Sequence, residues 1–350
     1  IIMKKLFKII PILLISLTTL QSCNDDTDDG LPYGGPVEPA TNTIVDIASG
    51  AENLSILVSA LEKSDLISTL SGQGPFTVLA PSNEAFNTFL NDNGFNNLDD
   101  VPVNILTNIL LNHVVGGRLA STDLTTGYAT TFAISSASPA SMSIFIDITN
   151  GVKFNGVSSV STADISADNG IVHLVDAVIG LPDVVTFALA DPTFSTLVAA
   201  LTRDDLTTDF VGVLSTATGT SPAPFTVFAP TNDAFGSLLS ELSIAGLADI
   251  DEPTLDAVLK NHVVAGANVL DTDLTDDMTV TTLGGDITAN VTGGATLTDS
   301  SGRVSDIIAT NIQANNGVIH AINKVISSIG IDFEIHISKI NEQGIKILTN

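Results

Sequence analysis

The 350-residue sequence has no tryptophan, two tyrosines and a single cysteine. One cysteine excludes an internal disulfide and a cysteine-built metal centre. With Tyr33 and Tyr128 as the only tyrosines, there is little from which to build the aromatic platforms that usually hold sugars. Positive charge is scarce as well: 12 Lys and Arg stand against 39 Asp and Glu, a net charge of -27. Lys4, Lys5 and Lys8 fall in the first 22 residues, which contain no acid, so the remainder is more acidic still. Such a charge repels phosphate backbones, and no nucleic-acid partner is expected. A GxSxG elbow, an HExxH helix and a P-loop are all missing. No catalytic residue, cofactor or metal ligand is assigned from the sequence, and the chain reads as a non-enzyme.

What is present is repetition. PFTVLAPSNEAF from Pro75 to Phe86 returns 149 positions later as PFTVFAPTNDAF from Pro224 to Phe235. LLNHVVGG from Leu110 returns as LKNHVVAG from Leu259, and DNGIVHLVDAVI from Asp168 returns 147 positions later as NNGVIHAINKVI from Asn315. A period of this size is that of a whole domain, so the chain reads as two tandem copies of one module. The hydrophobic share, 44%, suffices for two cores. The spacing places copies at 41–181 and 182–330, with a cut near Leu181-Pro182. From Leu61 to Pro75 is 14 positions, but from Leu201 to Pro224 is 23. The extra residues read as a surface loop, tolerated at little cost.

The local grammar is the same in both copies. Phe76–Leu79 reads as a strand, Ser82 as a helix N-cap, Glu84 as a first-turn acid, and Ala85, Phe86, Phe89 and Leu90 as an apolar stripe. Thr231, Asp233, Ala234, Phe235, Leu238 and Leu239 repeat it. A second stripe of Ile105, Leu106, Ile109 and Leu110 puts His113 on an apolar face. Leu255, Val258 and Leu259 do the same for His262, and the pattern favours buried, hydrogen-bonded histidines. Asn169-Gly170 and Asn316-Gly317 read as hairpin turns, with His173 and His320 at matching strand positions after them. Helices come first and strands later, an α+β arrangement. Asp271, Asp273, Asp276 and Asp277 form acidic clusters that could offer carboxylates to calcium, but they lack EF-hand spacing and read as solvated loops.

The ends differ from the repeats. Lys4, Lys5 and Lys8 precede an apolar run from Ile9 to Leu17, the layout of a secretory signal over residues 1–22 and too short to span a bilayer. The run leads into Leu20-Gln21-Ser22-Cys23, which resembles the lipobox of bacterial lipoproteins and implies acylation of Cys23. Residues 23–40 are acidic and then rich in Gly and Pro, the composition of an extended tether. Acids after the acylated cysteine are similar to the export signal of Bacteroidetes lipoproteins, implying the outer face of the outer membrane; the periplasmic face is the alternative. Residues 331–350, containing His336, read as a tail outside the repeat.

FTVLAPSNEAF and FTVFAPTNDAF resemble the first conserved box of the fasciclin family. NGIVHLVDAVI and NGVIHAINKVI resemble its second box, and NHVV sits where the family has its Tyr-His element. The resemblance runs over roughly residues 41–330. It implies two fasciclin-like domains, each a β-sandwich or wedge with helices packed around it, and an extracellular adhesion or interaction role without catalysis. The implied partner is an extracellular protein or polysaccharide, with the membrane reached through the lipid; a carbohydrate-binding accessory lipoprotein is the alternative. By position, Asn112, His113, Asn261 and His262 are the candidate binding residues. Asparagine replaces the family's tyrosine at 112 and 261, which removes the aromatic anchor such a contact would use.

Overall fold

A computed structural model describes residues 42–327. Cys23, the tether, residues 331–350 and His336 lie outside the described residues. In the first copy, α1 (Ile44–Ser49), α2 (Ser55–Lys63) and α3 (Ile67–Leu70) precede β1 (Phe76–Pro81), followed by α4 (Asn83–Asp92) and α5 (Val103–Asn112). The strands β2 (Val114–Gly116), β3 (Gly127–Ile134), β4 (Ser141–Asp147), β5 (Lys153–Phe154), β6 (Ser158–Ala167) and β7 (Gly170–Val175) complete it. The second copy repeats the order with α6 (Val184–Ala190), α7 (Ser195–Leu201), α8 (Phe210–Leu214), β8 (Phe225–Pro230), α9 (Asn232–Glu241) and α10 (Glu252–Lys260). Its remaining strands are β9 (Val263–Ala265), β10 (Met278–Thr282), β11 (Gly285–Asn290), β12 (Thr296–Thr298), β13 (Val304–Gln313) and β14 (Gly317–Ile322).

The expected caps are present. Ser82 Oγ accepts the Ala85 N–H and Thr231 Oγ1 accepts that of Ala234. Each repeated strand then pairs in parallel with the last strand of its copy, β1 with β7 and β8 with β14, in the same register: Phe76 opposite Gly170, Phe225 opposite Gly317. The two faces of the expected sandwich are continuous in the first copy, where β1 to β7 close into a barrel. The second copy forms a sheet in the order β10-β11-β12-β13-β14-β8-β9, and the Leu283 N–H reaches the Val263 carbonyl across its two ends at 2.8 Å.

Alternation along β1 splits each copy's core in two, because successive side chains face opposite ways. Val78 and Ala80 pack with α1, α2, α4 and α5, whereas Leu79 joins Ile144, Ile146, Phe154 and Val175 in the barrel interior. Val227 and Ala229 face the helices of the second copy, and Phe228 faces Val264, Val280, Ile287 and Ile322. Ile105 departs from the stripe expected on α5: Leu106, Ile109 and Leu110 are buried, and Ile105 is exposed. The added residues of the second copy do not form one loop; they fall on both sides of α8, whose Phe210 and Leu214 are buried in the core. Among the described residues no single helix is long and apolar enough to cross a membrane.

The two copies share a core. Phe145 on β4 points away from its own barrel and packs with Val184, Phe187 and Phe194 of the second copy. Tyr128 stacks its edge on Phe187 at 5.5 Å, and its hydroxyl donates to Asp191 Oδ2 at 3.0 Å. Burial, with the Asp191 charge and hydrogen bond behind it, pushes the Tyr128 phenol far above its ordinary value. Buried Gln313 crosses the seam: its N–H donates to Ser143 Oγ at 3.0 Å and its Nε2 to Ser135 Oγ at 3.1 Å. Ser135 Oγ in turn donates to the Ala314 carbonyl at 2.7 Å. These polar groups are satisfied across the seam, so parting the copies leaves them to find water, at about 1 kcal/mol or more each.

Candidate interaction site

His113 caps the C-terminus of α5, on the buried side set by Leu106, Ile109 and Leu110. Its Nδ1 lies 2.8 Å from the Ile109 carbonyl, and its Nε2 accepts the Ile179 N–H at 2.9 Å. An amide N–H can only donate, so the ring proton sits on Nδ1. His262 repeats the arrangement on the Val258 carbonyl and the Ile326 N–H, at 2.8 and 2.9 Å. Asn112 donates from Nδ2 to the Gly180 carbonyl at 2.9 Å and accepts from Thr131 Oγ1 at 3.2 Å. Asn112, His113, Asn261 and His262 are all buried. They form one matching pair in each copy; Asn112, His113 and His262 fasten the exit of the chain from their copy, and none of the four presents its side chain to solvent.

Burial drives both rings down from an ordinary 6.5 to about 4, outweighing the bonded carbonyl that favours the proton. The unfolded chain binds this proton below about pH 6.5 and the folded chain does not. The stabilisation is therefore complete above pH 6.5 and drains away as pH falls towards 4, by about 3 kcal/mol per histidine. Carboxylates lowered by hydrogen bonds, such as Asp271 and Asp276, lose their contribution only below the usual carboxylate value. Urea midpoints between pH 7 and 4.5 should fall steeply for the natural protein and less for His113→Gln. Parallel curves would remove the histidine from this account.

His173 and His320 are buried with the opposite tautomer. The His173 Nδ1 accepts the Asp164 N–H at 3.2 Å, and Nε2 donates to the Leu119 carbonyl at 2.9 Å. In the second copy the partners are Asn311 N–H and the Val269 carbonyl. Asp164 and Asn311 have φ of 63° and 57°, within the irregular pairing of β6 and β13, so each ring holds a bulge. All four paired histidines therefore have both ring nitrogens occupied inside the protein.

The hairpin reading of Asn169-Gly170 and Asn316-Gly317 holds for position and differs in mechanism. The turn residues are Asp168-Asn169 and Asn315-Asn316, and neither glycine is left-handed. Gly170 and Gly317 are needed for space: a β-carbon there would overlap the carbonyl oxygen of Phe76 or Phe225 on the parallel strand. Asn169 accepts the Ile44 N–H at 2.9 Å and donates to the Leu70 and Gly72 carbonyls at 2.7 and 2.8 Å. Asn316 makes the same three contacts with Val184, Leu214 and Thr216. This anchoring role was not read from the sequence, although the recurrence of the asparagine was its visible signal.

The acidic clusters hold loops. Asp271 accepts from Asn311 Nδ2 at 2.6 Å and Thr310 Oγ1 at 3.1 Å. Asp276 accepts the Val291 and Thr292 N–H groups at 2.7 and 2.8 Å, and the Thr292 hydroxyl as well. Among the described residues no group of three or more His, Cys, Asp or Glu is placed to hold a metal ion.

Comparison with known proteins fits this geometry. The fasciclin domain model matches residues 52–182 and 192–328. Protein sll1483 of Synechocystis is 36% identical over 138 residues, 39% of this chain and 72% of that protein. Human periostin is 27% identical over 270 residues, covering 76% of this chain and 30% of periostin. Pig transforming growth factor-beta-induced protein ig-h3 is 28% identical over 262 residues, 73% of this chain and 35% of that protein. The chain thus spans only about a third of these two animal relatives. A solved fasciclin domain pair from the insect cell adhesion molecule fasciclin I covers 76% of this chain and 91% of its own, at 18% identity and a TM-score of 0.43. Two matched segments in one order, over most of the chain, place it in the fasciclin domain family as a tandem pair.

Proposed function

We propose that this is a surface-anchored, non-catalytic adhesion or interaction lipoprotein that contacts an extracellular protein or polysaccharide. The match of both copies to the fasciclin domain carries the reading, since fasciclin domains occur in adhesion proteins such as periostin and ig-h3, to which the chain is similar. The absence of catalysis is supported by the histidines of the two copies, each of which has both ring nitrogens committed to the fold. The lipobox-like run into Cys23 supports acylation there, and the acidic stretch after it supports presentation on the outer face of the outer membrane of a Gram-negative cell. Docking of the two copies adds a physical advantage: two sites held at a fixed spacing raise the effective concentration of the second contact.

Cys23→Ala should move the protein from the membrane fraction to the soluble fraction, and intact mass should show a lipid on the natural chain only. Protease added to intact cells should degrade the natural protein. Protection would place it in the periplasm. A deletion strain should attach to a surface or polymer less well than its parent; equal attachment would end the adhesion reading.

A further inference from the structure

An apolar ridge stands uncovered on the first copy. Ile105 is 40% exposed, Phe132 43% and Ile134 46%. Asn108 brings them together: its Nδ2 donates to the Ile134 carbonyl at 2.8 Å and its Oδ1 accepts the Ile134 N–H at 3.0 Å, so the end of β3 lies along α5. Ile105 sits one turn before Asn108 on the same side of the helix. Phe132 sits two residues before Ile134 on the same face of the strand, and its ring leans edge-on against Phe76 at 5.9 Å. Scattered exposed apolar residues are ordinary, whereas a contiguous group marks an interaction surface.

The fold itself does not call for the whole ridge: Leu283, 149 positions after Ile134, is exposed as well, but the α5 side of the ridge is not repeated. The second copy has Thr254 at the place of Ile105 and Ala257 at the place of Asn108, 149 positions on, and α10 forms all the same. The ridge also runs directly into Ser135, which bonds the second copy, so it is continuous with the seam between the copies.

Charge selects the occupant. Residues 42–181 contain only Lys63, Arg118 and Lys153 as bases. Lys63 is spent on the Leu98 and Val101 carbonyls, and Arg118 on Ala167, Gly170 and Ser166. Asp99 and Asp100 stand just before α5; the Asp99 side chain is 94% exposed with Lys63 Nζ 3.9 Å away, and Asp100 accepts from Asn96. A second copy of this chain would bring the same negative field and be repelled. We infer that Ile105, Phe132 and Ile134 form a docking site for a basic polypeptide segment carrying aliphatic or aromatic anchors. The apolar side chains supply the contact and the acidic surround steers the approach. The inference rests on the adhesion and interaction reading and names its partner class.

The test is fluorescence anisotropy of the purified full chain with a labelled peptide of alternating Leu and Lys blocks, against a Ser and Lys peptide of equal charge. The Leu-containing peptide should bind about tenfold more tightly, and the triple variant Ile105→Thr, Phe132→Thr, Ile134→Thr should lose that difference. Leu283→Thr, an exposed apolar change in the second copy, should leave it intact. Should the triple variant fold poorly, as shown by a lowered melting temperature, Ile105→Thr alone serves, since threonine is the residue the second copy uses there. Equal binding of the two peptides, or undiminished binding by a folded variant, overturns the ridge. So does sedimentation showing that the natural chain dimerises and the variant does not. Cells carrying the variant keep the two readings apart. If they attach like the parent while a deletion strain does not, the ridge fails and adhesion stands; if the deletion strain attaches equally, adhesion fails by itself.

Discussion

Gly317→Ala is expected to abolish or severely weaken folding of the second copy, and Gly170→Ala that of the first. Each glycine opens the strand that pairs in parallel with the repeated Phe-Thr-Val strand, and an added β-carbon would overlap a main-chain oxygen of that neighbour. The neighbour cannot retreat cheaply. Phe225 N–H is held by the Asn316 carbonyl at 3.0 Å, and the Asn316 side chain is bonded to Val184, Leu214 and Thr216. Overpacking costs about 1 to 3 kcal/mol, and each hydrogen bond pulled out of register adds about 1. A loss of about 3 to 5 kcal/mol is a large part of a domain's usual 5 to 15. Urea unfolding followed by circular dichroism measures it. A midpoint indistinguishable from that of the natural protein would show that the strands separate freely.

The second large effect crosses the seam. Phe145 belongs to the first copy by sequence, yet Phe145→Ala should destabilise the second, because the ring fills a core made by Val184, Phe187 and Phe194. Removing a buried phenylalanine costs about 3 to 5 kcal/mol. Hydrogen exchange should therefore accelerate in Val184–Leu201 while β1 and β7 keep their protection. A fragment starting at Pro182 should fold with lower stability than the same residues in the pair, since Gln313 loses Ser135 and Ser143 as partners. Unchanged exchange in Val184–Leu201 would mean that the copies are independent beads.

Much of this architecture could be read from the residues. The repeated twelve-residue phrase gave strand, cap and helix, because Ser82 and Thr231 act through contacts only three residues away. His113 and His262 were readable as buried because an apolar stripe carries its own direction. Ile105 defeated that rule: it continues the stripe in sequence, and only its place beside Asn108 and Ile134 shows that it faces outward. The space limit at Gly170 and Gly317 comes from a strand some 90 residues away, and the anchoring by Asn169 and Asn316 from helices more than 90 residues away. No local pattern encodes such distances. The shared core was hidden for the same reason, since Phe145 alternates outward on β4 like a solvent-facing residue and is covered by Tyr128 of its own copy together with the next copy.

The measurement that bears most directly on the account is retention of cells under flow on a protein- or polysaccharide-coated surface. A deletion strain is complemented with the natural gene, with either copy alone, and with the docked pair carrying Cys23→Ala. The account predicts retention by the natural protein, a drop of about 10²-fold for a single copy because the second contact is lost, and background for the unanchored pair. Equal retention by all four strains and by the uncomplemented deletion would contradict it.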